Sequence, residues 1–458
     1  MIRRGSLAPT CIDWRRPHVR VLGAAFALLV CLAVVGCRAD QAPAAPSTTA
    51  PERKPTIQEA MAASKLPPIP QAPVVPARRT HVVLSPGPAR PPEDAALVAL
   101  GKRIFSDESL SEPAGTSCAS CHDPKLAFSG SHGSTLGVPL GSRAGHFARR
   151  STPSVLYLRY VPKFHYFEDD EAPYPAPFGG FFWDGRADSI AELVRQPLFN
   201  PDEMNAGNPR RVAAKLARAP YARELRAVAG GVDPESLMRG FGQALEAYLT
   251  SDEMTPATSK FDAWVRGEAT FTQQERRGLE AFKDSKRGAC ASCHRLNEVS
   301  TNPQHTMFTD YGFDSVGVPR NRALPSNEAP GAYDLGLCER KDRRTPSSDD
   351  KWCTSFRTPS LRNVAVRDSF MHNGQFKKLR DVVAFYAHRA SSPDRFYPAG
   401  QRFDDVPAKY RDNINLSSVP YNRPEGGKPA LTEEEIDDVV AFLETLTDAA
   451  FLSPKRPS

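Results

Sequence analysis

The sequence predicts a mostly α-helical chain made of two units of one plan. Three observations predict it. The stretch Cys118-Ala-Ser-Cys121-His122 returns almost verbatim as Cys290-Ala-Ser-Cys293-His294. Each copy follows a segment of helical apolar spacing that carries Gly-x-x-x-Phe, from Gly101 to Phe105 and from Gly278 to Phe282. The chain then closes on one more amphipathic segment, opened by a capping box at Thr432-Glu433-Glu434-Glu435. A supersecondary unit that recurs with its flanking helix reads as two copies of one domain.

The repeated stretch carries the chemistry. C-x-x-C-H is the attachment pattern of c-type haem. Two thiols add to the two vinyl groups, two intervening residues set their separation, and the adjacent imidazole reaches the iron. A single match could be chance, a zinc half-site or a redox dithiol. Two matches, both completed by His in a chain that reads as exported, point to two covalent c-type haems. Cys118, Cys121, Cys290 and Cys293 would hold them, with His122 and His294 as iron ligands. The fold class is therefore mostly α, with two cytochrome c-like domains, each carrying one covalently attached haem.

In chain order, residues 1–36 read as a lipoprotein-type signal peptide. Arg3, Arg4, Arg15, Arg16 and Arg20 precede an apolar run from Val21 to Gly36 of signal-peptide length, short for a membrane span. The run ends Val34-Val35-Gly36-Cys37, which resembles a lipobox and makes Cys37 the expected lipidated residue. The expected location is the periplasm, with the chain held to a membrane by that lipid alone. These five Arg against one Asp carry most of the formal charge of +6. No Lys/Arg-rich run stands out, and no nucleic-acid partner is expected. Residues 37–91 form a Pro/Ala-rich tether, with 11 Pro between positions 38 and 90, too poor in apolar periodicity to bury a core.

Order begins near Pro92, and residues 92–255 form the first domain. Ala95, Leu97, Val98, Leu100, Ile104 and Phe105 predict its first helix. Far more sequence follows Cys118 than a minimal cytochrome c needs. It includes His146, a Pro/aromatic-rich loop, and a helix with a capping box at Ser189-x-x-Glu192 ended by Pro197. Residues 206–250 read as helical, with Val212, Leu216, Leu225, Leu237, Phe241, Leu245 and Leu249 as apolar markers. The second domain spans 256–450, before a tail at 451–458. Thr272-Gln273-Gln274-Glu275 caps its first helix, and Ile436, Val439, Val440, Leu443 and Leu446 line one face of its last. Cys338 and Cys353 remain among the 9 Cys. They share one polar loop, and an oxidising compartment permits a disulfide between them.

An ordered series of motifs over residues 92–447 resembles the bacterial di-haem cytochrome c peroxidase family, with its MauG-like branch. The series comprises Cys118–His122 with Asp123-Pro124 and Ala127-Phe128-Ser129; Ser151-Thr152-Pro153-Ser154; Phe182-Trp183-Asp184-Gly185-Arg186-Ala187; Asn200-Pro201-Asp202-Glu203-Met204; Cys290–His294; Phe308-Thr309-Asp310; Arg357-Thr358-Pro359-Ser360-Leu361-Arg362-Asn363; and Met371-His372-Asn373-Gly374. The resemblance implies that His122 serves a peroxide-binding haem and His294 an electron-transferring one. Trp183 matches the tryptophan between the haems. Glu203 matches the distal glutamate, and a carboxyl there can take a proton from one peroxide oxygen and return it to the departing one. Met371 stands where the sixth ligand of the second haem is expected, with Met307 a weaker candidate. His146 occupies a place similar to that of a histidine that caps the first haem in some members, while its bland reading is a surface residue.

The chain departs from the family at two positions. Leu193 stands where a distal Gln is common, and Ser151 where Asn often accompanies an interdomain calcium, leaving calcium without support. The function the resemblance implies is reduction of hydrogen peroxide to water, fed by a small cytochrome c or cupredoxin. Two alternatives stand beside it: MauG-like oxidation of a partner protein or small molecule, and electron carriage without catalysis.

Overall fold

The computed structural model describes residues 93–168, 175–329, 331–340 and 349–452. The signal peptide, Cys37 and the tether lie outside the described residues, as does the tail after 452.

Helix α1 (Ala95–Phe105) starts where the Asp94 carboxylate accepts from the Ala96 and Leu97 amides, and it buries Leu100, Gly101, Ile104 and Phe105. A single turn, α2 (Cys118–Cys121), holds the first cysteine pair and is closed by a Ser117/Ser120 capping box. The predicted helix after Ser189 is α3 (Ile190–Phe199). Two details differ from expectation. The helix runs through Pro197 to Phe199, with the missing proline donor tolerated in its last turn. Glu192 also reaches back to the Asp188 amide, so the box is displaced by one residue. The region after 206 is three helices, α4 (Pro209–Leu216), α5 (Ala222–Ala229) and α6 (Pro234–Leu249). Gly230 in the left-handed conformation ends α5, and Asp233-Pro234 starts α6, a stop-and-start signal that periodicity alone overlooks.

The second half repeats the plan with α7 (Lys260–Val265), α8 (Gln273–Lys283), α9 (Leu379–His388) and α10 (Glu433–Glu444). Capping boxes at Thr272 and Thr432 are both formed. Helix α1 packs on α6 and α8 packs on α10, the same first-against-last pairing in each half. Both crossings need a glycine. A Cβ on Gly101 would run into the Ala244 carbonyl of α6, and one on Gly278 into the Asp438 carbonyl of α10.

Two principal cores result. The first joins Leu100, Ile104, Phe105, Leu216, Leu225, Phe241 and Leu245, and also takes in Met307 and Tyr311 from far along the chain. The second joins Phe261, Leu279, Phe282, Phe308, Ile436, Val439 and Phe442. Strands are few and short. β1 (His165–Phe167) pairs antiparallel with β2 (Ala176–Phe178), His165 opposite Phe178. β3 (Phe313–Asp314) pairs antiparallel with β4 (Phe356–Arg357), Phe313 opposite Arg357. A bridge from Phe178 to Gly312 connects the two ribbons. Among the described residues no helix is long and apolar enough to cross a membrane.

Candidate haem-binding and catalytic site

Both Cys-x-x-Cys-His stretches present the same histidine geometry. His122 Nδ1 lies 3.0 Å from the Phe128 carbonyl, and His294 Nδ1 lies 2.9 Å from the Phe308 carbonyl. A carbonyl accepts only, so Nδ1 carries the proton in each ring and Nε2 keeps its lone pair for a metal. The accepting carbonyls sit on residues of positive φ, 56° at Phe128 and 50° at Phe308. The carbonyls of Pro153 and Pro359 face the same two rings. Burial lowers His122 to about 4 and His294 below its ordinary value, so both rings are neutral.

The cysteines lie in apolar surroundings. Burial pushes Cys118, Cys121 and Cys290 up to about 12. Thioether formation leaves a neutral sulfur that suits such a wall. Among the described residues no group of three or more His, Cys, Asp or Glu is placed to hold a metal ion, so the zinc half-site reading finds no second half. The donor set fits haem, held by Cys118, Cys121 and His122 in one half and by Cys290, Cys293 and His294 in the other.

One loop in each half is a copy of the other, with different side chains. Phe182-Trp183-Asp184-Gly185 and Met371-His372-Asn373-Gly374 stand 189 positions apart, as 371 is from 182. Phe182 and Met371 have φ of 67° and 65°, Gly185 and Gly374 of 66° and 64°. Each loop is closed by an equivalent bridge, Phe181 to Ala187 and Phe370 to Phe376. Where the second half offers the Met371 thioether, the first offers the Phe182 ring, which has no donor. The Met371 side chain packs against the cluster of Phe385, Tyr397 and Phe403 that also receives Tyr386, and the Tyr386 hydroxyl feels Cys293 and Cys290. Met307 instead belongs to the first core.

Glu203 belongs to the first half. Its carboxylate is the largest charge acting on the Cys121 thiol, which puts it beside the first cysteine pair. Burial raises its own pKa, opposed by the Arg186 guanidinium and by a hydrogen bond from the Asn200 side chain. Arg186 lies flat over the Phe182 ring at 3.6 Å and is fixed by Asp184 and by Gln196, whose Oε1 accepts from Arg186 Nε at 2.7 Å. His146 is turned toward the neighbouring residue: its Nδ1 lies 2.9 Å from Asp202 Oδ1, and the ring is half-exposed. Leu193 packs against the first core.

Trp183 joins the two halves. Its indole donates to the Ser151 carbonyl at 2.9 Å, and its own carbonyl accepts from the Arg357 amide at 2.7 Å. The relation is reciprocal, for the Ser151 amide donates to the His372 carbonyl at 2.8 Å. Thus the Thr-Pro segment of each half is bonded to the loop of the other. Cys338 and Cys353 are joined in a disulfide, with Cα atoms 4.9 Å apart. Sequence reasoning missed Phe182, Arg186 and Gln196 as parts of the site. The Phe-x-Asp-Gly and Met-x-Asn-Gly match at constant offset was the available signal.

The fold and donor set define a di-haem cytochrome, and comparison with known proteins gives the family. A family model described as di-haem cytochrome c peroxidase matches residues 95–270. Methylamine utilization protein MauG of Paracoccus denitrificans is 35% identical over 378 residues, covering 79% of this chain and 91% of that one. Cytochrome c551 peroxidase of Pseudomonas aeruginosa is 28% identical over 288 residues, 62% of this chain and 70% of that one. The crystal structure of the diheme peroxidase BthA from Burkholderia thailandensis superposes with a TM-score of 0.76 at 49% identity, covering 80% of this chain and 90% of that one. The chain belongs to the bacterial di-haem cytochrome c peroxidase and MauG family, a family of haem oxidoreductases.

Proposed function

We propose that the protein carries two covalent c-type haems and reduces hydrogen peroxide to water, with electrons from a small cytochrome c or cupredoxin entering at the second half. The observation that carries this reading is the asymmetry of the paired loops. A donor-less Phe182 stands in the first half where Met371 stands in the second, with a buried, raised carboxyl, Glu203, beside the first cysteine pair. That combination suits one site for a small ligand and one for electron transfer.

A haem held by Cys118, Cys121 and His122 supplies a redox-active iron to which peroxide can bind. The protein supplies the proton handling. Glu203 is held above the ordinary carboxylate range by burial, so it accepts a proton readily and returns it to the departing oxygen. Arg186, fixed by Asp184 and Gln196, limits that rise and keeps the carboxyl able to cycle. Trp183, bonded to both halves, would carry electrons from the second site to the first. Met371 would help to hold the second haem through its thioether, and His146, whose Nδ1 lies against Asp202, is the further candidate at the first site. The signal peptide, the Cys37 lipid and a periplasmic location complete the reading from the sequence.

The test is peroxide turnover with a reduced donor in wild type and Glu203→Gln. Loss of one positioned acid/base group typically costs about 10²–10⁴-fold in rate, and a fall in that range with both haems retained is expected. Turnover equal to wild type would remove Glu203 from the reaction. A second reading, oxidation of a partner protein or small molecule, is favoured by the 35% identity to a MauG protein. A wild type that consumes peroxide without any reduced donor, while an added protein is oxidised, would select it.

A further inference from the structure

The loop that carries Trp183 is gripped by three arginines that the reading above does not use. Asp184, whose side chain is 2% exposed, accepts from Arg150 at 2.6 Å as well as from Arg186. The other nitrogens of Arg150 fork onto Asp334, Nε to Oδ2 at 2.7 Å and NH2 to Oδ1 at 2.6 Å. Arg340, almost wholly buried, donates to the Gly185 carbonyl and to Asp188 at 3.0 Å, with its guanidinium over the Phe164 ring at 3.8 Å. The Arg357 amide donates to the Trp183 carbonyl, and its Nε to the Phe182 carbonyl at 3.1 Å. Arg340 lies inside the loop closed by the Cys338–Cys353 disulfide, and Asp334 and Arg357 flank that loop on either side. Arg150 is the residue before Ser151, whose carbonyl receives the Trp183 indole N–H.

Burying this many ion pairs is a poor way to gain stability, because desolvation consumes most of the Coulombic attraction and apolar packing serves as well. What forked guanidinium–carboxylate pairs add is a single fixed geometry. Here that geometry belongs to one tryptophan, fixed at its backbone carbonyl, its indole N–H and the carboxylate of the residue after it.

We propose that Arg150 and Arg340 are positioning residues for electron passage through Trp183, with the Cys338–Cys353 disulfide steadying Arg340 and the flanking Asp334 that holds Arg150. The inference rests on the reading of Trp183 as the conduit between the two sites. It predicts that the indole loses its orientation when either arginine is cut back, with the haem-binding residues themselves untouched.

The experiment uses the holoprotein and three readouts: the indole N–H hydrogen bond of Trp183 by ultraviolet resonance Raman, the stopped-flow rate at which an electron given to the second site reaches the first, and both reduction potentials. Arg150→Gln and Arg340→Met should weaken the indole bond and slow passage about 10–100-fold, the range that a displacement near 1 Å costs a positioned group. Potentials and haem content should match wild type. Arg150→Lys should recover only part of the rate, since an ammonium cannot make the fork. The paired change Cys338→Ala with Cys353→Ala gives the same direction without touching any charge, and stands in if Arg150→Gln fails to fold. Trp183→Phe is the reference. If it slows passage while the arginine and cysteine variants do not, the positioning role is overturned alone. If Trp183→Phe itself passes electrons at the wild-type rate, the conduit reading fails and this inference falls with it.

Discussion

Glu203 shows how one residue can trade stability for chemistry. Its carboxyl is raised by burial, so the unfolded chain releases this proton at lower pH than the folded protein does. Stability from the group is complete below the ordinary carboxylate range and is lost as pH rises through the folded value. Replacing it by Gln removes that loss. Thermal unfolding of Glu203→Gln should therefore sit above wild type at neutral pH, with a gain that shrinks to nothing in acid. A gain independent of pH would show that the carboxyl is not the strained group. The residue types of the site were legible in the sequence wherever chemistry demands a fixed spacing, as in Cys118–His122 and Cys290–His294. They were illegible where a backbone carbonyl makes the contact. Nothing in Phe128 or Phe308 as letters announces that their carbonyls orient the two histidines. Likewise Gln196 is found only through Arg186, because its partner is ten residues away and across a turn.

At the scale of elements, the two helix crossings are built on glycines, and each is a point where one methyl group has nowhere to go. In Gly278→Ala the new Cβ meets the Asp438 carbonyl of α10, and the same aspartate anchors Arg277 of α8 through two hydrogen bonds of 2.7 and 2.8 Å. The ion pair resists the separation that the methyl would require. Overpacking typically costs about 1–3 kcal/mol, and removing a helical glycine returns about 1 kcal/mol. Because the clash is with backbone the upper end applies, and a net loss of about 2 kcal/mol is expected, read as a lower midpoint of the spectral change at the second haem during thermal or denaturant unfolding. Gly101→Ala should do the same at the first, against the Ala244 carbonyl. An unchanged midpoint in both would mean that the helices slide apart freely. The Gly-x-x-x-Phe repeat marked the two helices as equivalents without revealing the crossings, and the breaks between α4, α5 and α6 were hidden because apolar markers recur through all three.

For the whole molecule, the sequence reading of two units with one plan describes the helices and misdescribes the seams. Met307 and Tyr311 follow the second cysteine pair yet lie in the first core, and the two Thr-Pro segments exchange partners between the halves. No local periodicity encodes such exchanges, since they join residues far apart in the chain, Trp183 with Arg357 and Ser151 with His372. Their strongest knot is Asp448, 0% exposed. Its carboxylate accepts from the Tyr157 hydroxyl at 2.6 Å, the Asn363 side-chain amide at 2.7 Å and the Thr258 backbone at 2.7 Å. Tyr157 and Asn363 are equivalent positions of the two halves, both left-handed with φ of 62° and 60°. One carboxylate thus ties both halves at the same point of their plan. Asp448→Ala leaves three donors without an acceptor, two of them buried side chains, and each such orphan costs about 1–3 kcal/mol. A loss of about 3–5 kcal/mol is expected, larger than for either glycine variant. More telling is its form. With the knot in place, unfolding followed at the two haem spectra should give one shared transition, and in Asp448→Ala the two spectra should melt at separate temperatures. If they still melt together, cohesion between the halves resides in the exchanged Thr-Pro segments and the arginine-held Trp183 loop, and Asp448 merely completes it.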